Sequence, residues 1–259
     1  MGESRSPDPG SFDGKTLLVT GGASGMGEAT ARMFTDRGGR VAVLDLRAAA
    51  AERVAADLPD AVAVSADVSD EASVQQAVAA VDARFRRIDC LVNAAGHHVA
   101  GPLGSWSYAD WNRMMAVHAG GAFLLCREVL PIMRRAGRGS IVNIASIAAF
   151  VGQPTNAPYG AAKGAVLAFS RQLALEVAPQ VRVNVIAPGR TRTAMTEPLI
   201  LARGDGDLES GLEITRGLAP LHHICEPWEM AEAICFLLSD RTPFITGTSL
   251  VVDGGETAS

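Results

Sequence analysis

The chain has 259 residues, a length that suits one large domain or two small ones. Hydrophobic residues make up 48% and aromatics only 5%, a balance that fits buried parallel strands under Ala-rich helices. A net charge of −5 lacks the basic footprint of a nucleic-acid binder, and no apolar run reads as long and uninterrupted enough to span a membrane.

Residues 1–14, MGESRSPDPGSFDG, hold no apolar stretch of a signal peptide and read as a flexible leader. From residue 15 to residue 259 the pattern alternates. KTLLVT (15–20) is the first strand, and TGGASGMG (20–27) turns it into a helix over 26–37. VAVLD (41–45), a helix over 47–58, AVAVSAD (61–67) and a helix over 71–85 follow. IDCLVNAAG (88–96) is a fourth strand ending in a Gly turn, and two helical segments lead to SIVNIAS (140–146). The helix carrying YGAAK runs to about residue 177, ahead of VRVNVIAPG (181–189). Residues 190–221 read as a less regular stretch, the expected substrate loop, with Met195 and PLIL (198–201) as an apolar wall. A helix over 227–238 and TSLVVD (248–253) close the chain. Strand and helix alternating in this way predict right-handed crossovers and one α/β domain with a parallel sheet. Cys90, Cys126, Cys225 and Cys235 form no CxxC, so no metal site is readable and four reduced thiols in a cytoplasmic protein are expected.

The turn after the first strand carries Gly21, Gly25 and Gly27, with Ser24 and Met26 between them. Residues without Cβ let a backbone approach a pyrophosphate, and the helix start offers unpaired N–H groups to it. Asp45 ends the second strand, where a carboxylate hydrogen-bonds the adenosine ribose and repels a 2′-phosphate. Leu46 follows it, so no cation is immediately adjacent, although Arg47 is within reach of a phosphate. The expected cofactor is NAD(H) rather than NADP(H).

Tyr159 and Lys163 stand four apart on a helix and therefore share a face. An ammonium beside a phenol favours the phenolate, which lets a tyrosine exchange a proton with an alcohol or ketone near neutral pH. Ser146 lies thirteen residues upstream of the tyrosine, at the C-terminal end of a strand, where doubly wound sheets place their ligands.

TGGASGMG, Asp45, NAAG (93–96), Ser146, YGAAK and PG (188–189) occur in this order and resemble the short-chain dehydrogenase/reductase family of the compact, single-domain type. The resemblance covers residues 15 to 255, nearly the whole chain. It implies a Rossmann-like doubly wound domain over residues 15–259, with seven parallel strands in the order 3-2-1-4-5-6-7 and helices on both faces. It implies an NAD(P)-dependent oxidoreductase acting on a secondary alcohol or ketone, with Tyr159 as acid/base, Lys163 on the nicotinamide ribose and Ser146 on the substrate oxygen. Asn93, Ala94 and Gly96 would shape the adenine-ribose side, and Asp67 with Val68 would meet the adenine. Pro188, Gly189, Thr191 and Thr193 would lie toward the nicotinamide. His97, Gln153 and Met195 join Ser146 as candidate substrate contacts. A homotetramer or dimer is implied, with ITGTSLVVDGG (245–255) at a subunit contact.

Two positions depart from the family: Thr191 stands where the PG motif usually continues with an aliphatic residue, and VHAGGAF (117–123) places His118 where an asparagine usually holds a water of the proton relay. Imidazole also shuttles protons, so a relaying His118 would add a titration near its ordinary value of about 6.5; the plain alternative is a ring that satisfies a backbone group. Two other functions use the same fold: a dinucleotide-sensing regulator of weak turnover, and an isomerase or dehydratase.

Overall fold

A computed structural model describes residues 10–258. The expected leader lies outside the described residues over 1–9, and its end is not loose. Phe12 is fully buried, stacks on Phe34 with ring centroids 4.0 Å apart, and its N–H donates to the Arg37 carbonyl at 2.8 Å. The leader reading over 10–14 is thereby corrected: one aromatic ring among small polar residues suffices to dock the segment.

Seven parallel strands form the sheet: β1 (Thr16–Thr20), β2 (Arg40–Asp45), β3 (Ala61–Ser65), β4 (Cys90–Asn93), β5 (Gly139–Ile144), β6 (Val181–Pro188) and β7 (Ser249–Val252), in the order β3-β2-β1-β4-β5-β6-β7. Side chains alternate across it, as a period of two requires. Leu17, Val19, Val41 and Val43 face α1 (Gly25–Asp36), α2 (Ala48–Ala56) and α9 (Pro227–Leu238). Leu18, Ala42 and Leu44 face α3 (Glu71–Phe85), α5 (Gly121–Ala136) and α6 (Ala157–Val177). The strand order reverses between β1 and β4, which opens a crevice at the C-terminal strand ends.

Two elements differ from expectation. The segments before β5 form one continuous helical run, α4 (Tyr108–Met115), a π-turn (Ala116–Gly120) and α5. A capping box of Ser107 and Asp110 starts it. Its most apolar stretch has a mean hydropathy of 1.3, so length and composition meet the test for a membrane span that the sequence reading did not find. Here 44% of that stretch is buried inside the domain, as in a core helix packed on β4 and β5. The 190–221 stretch is also more regular than expected. It folds into α7 (Glu197–Arg203) and α8 (Leu208–Arg216), joined through a small core of Ile200, Leu212 and Ile224.

Candidate active site

The crevice holds a cavity of about 380 Å³ that runs from the Gly turn to Tyr159. On its floor, α1 begins at Ser24, whose side chain makes no capping bond, so the first-turn N–H groups have no side-chain acceptor. Gly21 and Gly25 adopt φ +64° and +56°, conformations that favour residues without Cβ. Gly21, Ser24, Gly25, Met26 and Gly27 all line the cavity. The uncapped helix start and open backbone fit a dinucleotide's pyrophosphate.

Asp45 is buried at the end of β2. Its Oδ2 accepts from Ala23 N–H at 3.2 Å, and its Oδ1 accepts from Arg47 N–H at 3.0 Å and from Arg47 Nε at 3.2 Å. The Arg47 guanidinium also donates to Ser24 Oγ at 3.1 Å. Leu46, Asp67, Val68, Ala94 and Gly96 line the same cavity. Asn93 does not. As the last residue of β4 it points into the core, where its Nδ2 donates to Asn143 Oδ1 at 2.8 Å. The expected adenine-side role of Asn93 is corrected to a tie between β4 and β5. Pro188, Gly189, Thr191, Thr193 and Met195 line the far end.

Ser146, Tyr159 and Lys163 meet beyond the end of β5. Ser146 accepts from Ala148 N–H at 3.2 Å, which leaves its own proton available to a substrate oxygen. Pro158 opens α6, and Tyr159 and Lys163 sit on its first turns. Lys163 Nζ donates to the Ile144 carbonyl at 2.8 Å and lies 5.6 Å from the Tyr159 ring centre. Burial pushes the Tyr159 phenol up to about 12, against a smaller lowering by Ser146. Burial also takes Lys163 down to about 7. The sequence reading expected the ammonium to lower the phenol. In the protein alone desolvation of the phenol dominates.

His118 is buried inside the π-turn, 5.5 Å from the Tyr159 ring centre. Gly96 makes room for it: a Cβ there would lie 2.5 Å from His118 Cε1. The Nε2–H donates to the His97 carbonyl at 2.9 Å, a tautomer assigned from that bond. Nδ1 has no partner among the described residues, and neither has Asn93 Oδ1. His118 and Asn93 share with Lys163 a second cavity of about 10 Å³. Burial, and after it the neighbouring Lys163, pushes His118 down to about 2, well below the ordinary value near 6.5 at which a relaying ring is expected to titrate.

A side cavity of about 220 Å³ opens from Ser146 and Tyr159 toward α7. Gln153 and Met195 line it, Met195 bordering the main cavity as well, whereas His97 lines only the main cavity. His98, which follows NAAG and could be expected to face the cleft, also lines it, as do Arg190 and Arg203, which were not among the expected site residues. His98 pairs with Asn156 at 2.8 Å and packs edge-on against Tyr159. Its place beside NAAG was a signal for it; nothing in the sequence pointed to the two arginines. Among the described residues no group of three or more His, Cys, Asp or Glu is placed to hold a metal ion.

Comparison with known proteins agrees with this geometry. Residues 21–257 match the family model described as enoyl-(acyl carrier protein) reductase. The chain is 41% identical to a D-threitol dehydrogenase of Mycolicibacterium smegmatis, over 95% of this chain and 94% of that one. It is 38% identical to a meso-2,3-butanediol dehydrogenase of Serratia marcescens, over 96% of each. A crystal structure of 3-ketoacyl-(acyl-carrier-protein) reductase from Brucella melitensis, complexed with NADH, superposes with a TM-score of 0.86. It is 34% identical and covers 95% of this chain and 100% of that one.

Proposed function

The chain belongs to the short-chain dehydrogenase/reductase family and is an NAD(P)-dependent alcohol dehydrogenase or ketoreductase, and on that premise we propose that Tyr159 is its acid/base and NAD(H) its preferred cofactor. The observation that carries the reading is the single cavity joining the uncapped start of α1 to Ser146, Tyr159 and Lys163.

A nicotinamide held in this cavity would supply the hydride exchange with the carbinol carbon and, when oxidised, a positive charge that favours the phenolate. Ser146 donates to the substrate oxygen, and Tyr159 takes the alcohol's proton or returns it to the ketone. Lys163 holds the adjoining ribose from the face it shares with Tyr159. The Gly turn receives the pyrophosphate, and Asp45 receives the adenosine ribose hydroxyls, where it disfavours a 2′-phosphate. The 10 Å³ cavity is about the size of one water and supplies a bridge from Lys163 to the neutral His118.

Assembly as a homotetramer is supported by the outer faces of α5 and α6, where Phe123 packs edge-on against Phe169 and Leu175 is 80% exposed. The segment around β7 would form the second contact, giving D₂ symmetry. Four free cysteines support a reducing, cytoplasmic location.

Incubation with NAD and a panel of secondary alcohols, read as NADH absorbance, tests the activity. Tyr159→Phe abolishes turnover and leaves NAD affinity nearly intact, because only the ionisable hydroxyl is lost. Retention of most of kcat by that variant would remove Tyr159 from the acid/base role.

A further inference from the structure

The side cavity toward α7 has a chemical character that the family's shared machinery does not account for. One end holds Ser146 and Tyr159, and Arg190 and Arg203 line the same cavity. Leu199, Ile200 and Ile224 contribute apolar wall between loop and body. Among the described residues no aspartate or glutamate lines the cavity, so its charge comes from the two guanidinium groups.

The two arginines are not equivalent. Arg190 is neutralised by Glu256, to which it donates from Nη2 at 2.7 Å and from Nε at 3.1 and 3.2 Å. The Arg203 side chain makes no hydrogen bond and no ion pair among the described residues, although it is only partly exposed. It stands in the last turn of α7, where the helix dipole favours a cation, yet it donates to none of the helix carbonyls. Burial and the nearby Arg190 both disfavour its charged form, and Glu256 offsets them least. A half-buried guanidinium near a second one, with Glu256, the carboxylate acting on Arg203, already bonded to Arg190, leaves about one positive charge uncompensated. Thr191 also lines the cavity; its Oγ1 is buried and has no partner among the described residues.

From this arrangement we infer that the substrate carries an oxyanion, bound by Arg203 at the α7 end of the cavity while its carbinol or ketone carbon meets Ser146 and Tyr159. The inference rests on the dehydrogenase reading above and names the substrate class within it. A guanidinium presents a planar fork of donors that matches carboxylate, sulfonate and phosphate oxygens alike. The apolar wall receives the hydrocarbon between the two ends, and its exclusion of water strengthens the charge pair.

Three probe pairs separate the sources of the anion: 3-hydroxybutyrate, 2-hydroxypropane-1-sulfonate and 2-hydroxypropyl phosphate, each against its uncharged amide or ester counterpart. The kcat/KM ratio of charged to uncharged probe is measured for the parent, Arg203→Gln and Arg203→Lys. In at least one arm the parent ratio is tenfold or more. It falls at least fivefold in Arg203→Gln and is largely kept in Arg203→Lys; the arm with the largest ratio identifies the anion. A ratio at or below one in every arm, or one untouched by Arg203→Gln, overturns the inference. Should no alcohol at all be oxidised, the dehydrogenase reading fails separately. Calorimetric titration of the three anions into NAD-loaded protein then reads the site without turnover: binding lost in Arg203→Gln supports it, and equal or absent binding in the parent overturns it.

Discussion

His118 has surrendered its hydration inside the π-turn and met only the backbone of His97, with Lys163 adding to the cost of its charge. The folded ring stays neutral down to about 2, whereas the unfolded ring protonates near 6.5. Between those values the unfolded chain binds the extra proton. Stability therefore falls as pH drops from 6.5 toward 2, by at most about 1.4 kcal/mol per pH unit. His118→Asn removes this dependence, so the parent's Tm falls faster than the variant's between pH 6.5 and pH 4.5; parallel melting curves would count against it. The rate profile of the parent carries no inflection near 6.5 from this ring. Asp45 carries the second residue-scale expectation. NAD is preferred over NADP by at least tenfold in kcat/KM, a difference of about 1.4 kcal/mol. Asp45→Ala narrows the ratio and Arg47→Ala widens it; equal use of NADP by the parent would show that Arg47 overrides the carboxylate. Tyr159 and Lys163 were legible because a helical spacing of four fixes a shared face. The inward turn of Asn93 was not, because a short strand buried on both sides has no polar alternation to mark its faces.

Strands and long helices were legible for the same reason: buried Val, Leu and Ile runs bounded by Gly, Asp or Pro leave little choice of boundary. What escaped was decided by packing. Phe12 is one ring in a polar segment, and its fate depends on Phe34, which no local pattern connects to it. Phe12→Ala is expected to cost about 3 kcal/mol, the low end for emptying a buried aromatic site. Urea unfolding measures it, and a loss below 0.5 kcal/mol would return the segment to the leader. The α7–α8 pair was hidden by the polar RGDGDLESG run, yet Asp207 caps α8 by accepting from Ser210 N–H at 2.7 Å. The π-turn adds one residue per turn to an unbroken helical pattern, a change that leaves no mark in composition.

At the scale of the whole molecule, Phe123 and Leu175 are surface hydrophobics on neighbouring helices that one sheet face leaves uncovered. Light scattering at micromolar concentration is expected to give a tetramer mass for the parent. Phe123→Glu with Leu175→Glu reduces it to a dimer or smaller, since buried glutamates at a two-fold axis face their own copies. A monomer mass for the parent would dismiss the assembly.

All seven strands run in one direction, and the candidate site gathers at their C-terminal ends, away from the opposite rim. The bends that return chain to sheet there include Gly137, in a left-handed conformation, and the exposed Arg138 just before β5. A fluorescent reporter or a surface tether spliced between those two residues would hang from the side of the molecule remote from the crevice. The enzyme can thus be wired to a support by its idle edge while its working edge stays open to solvent.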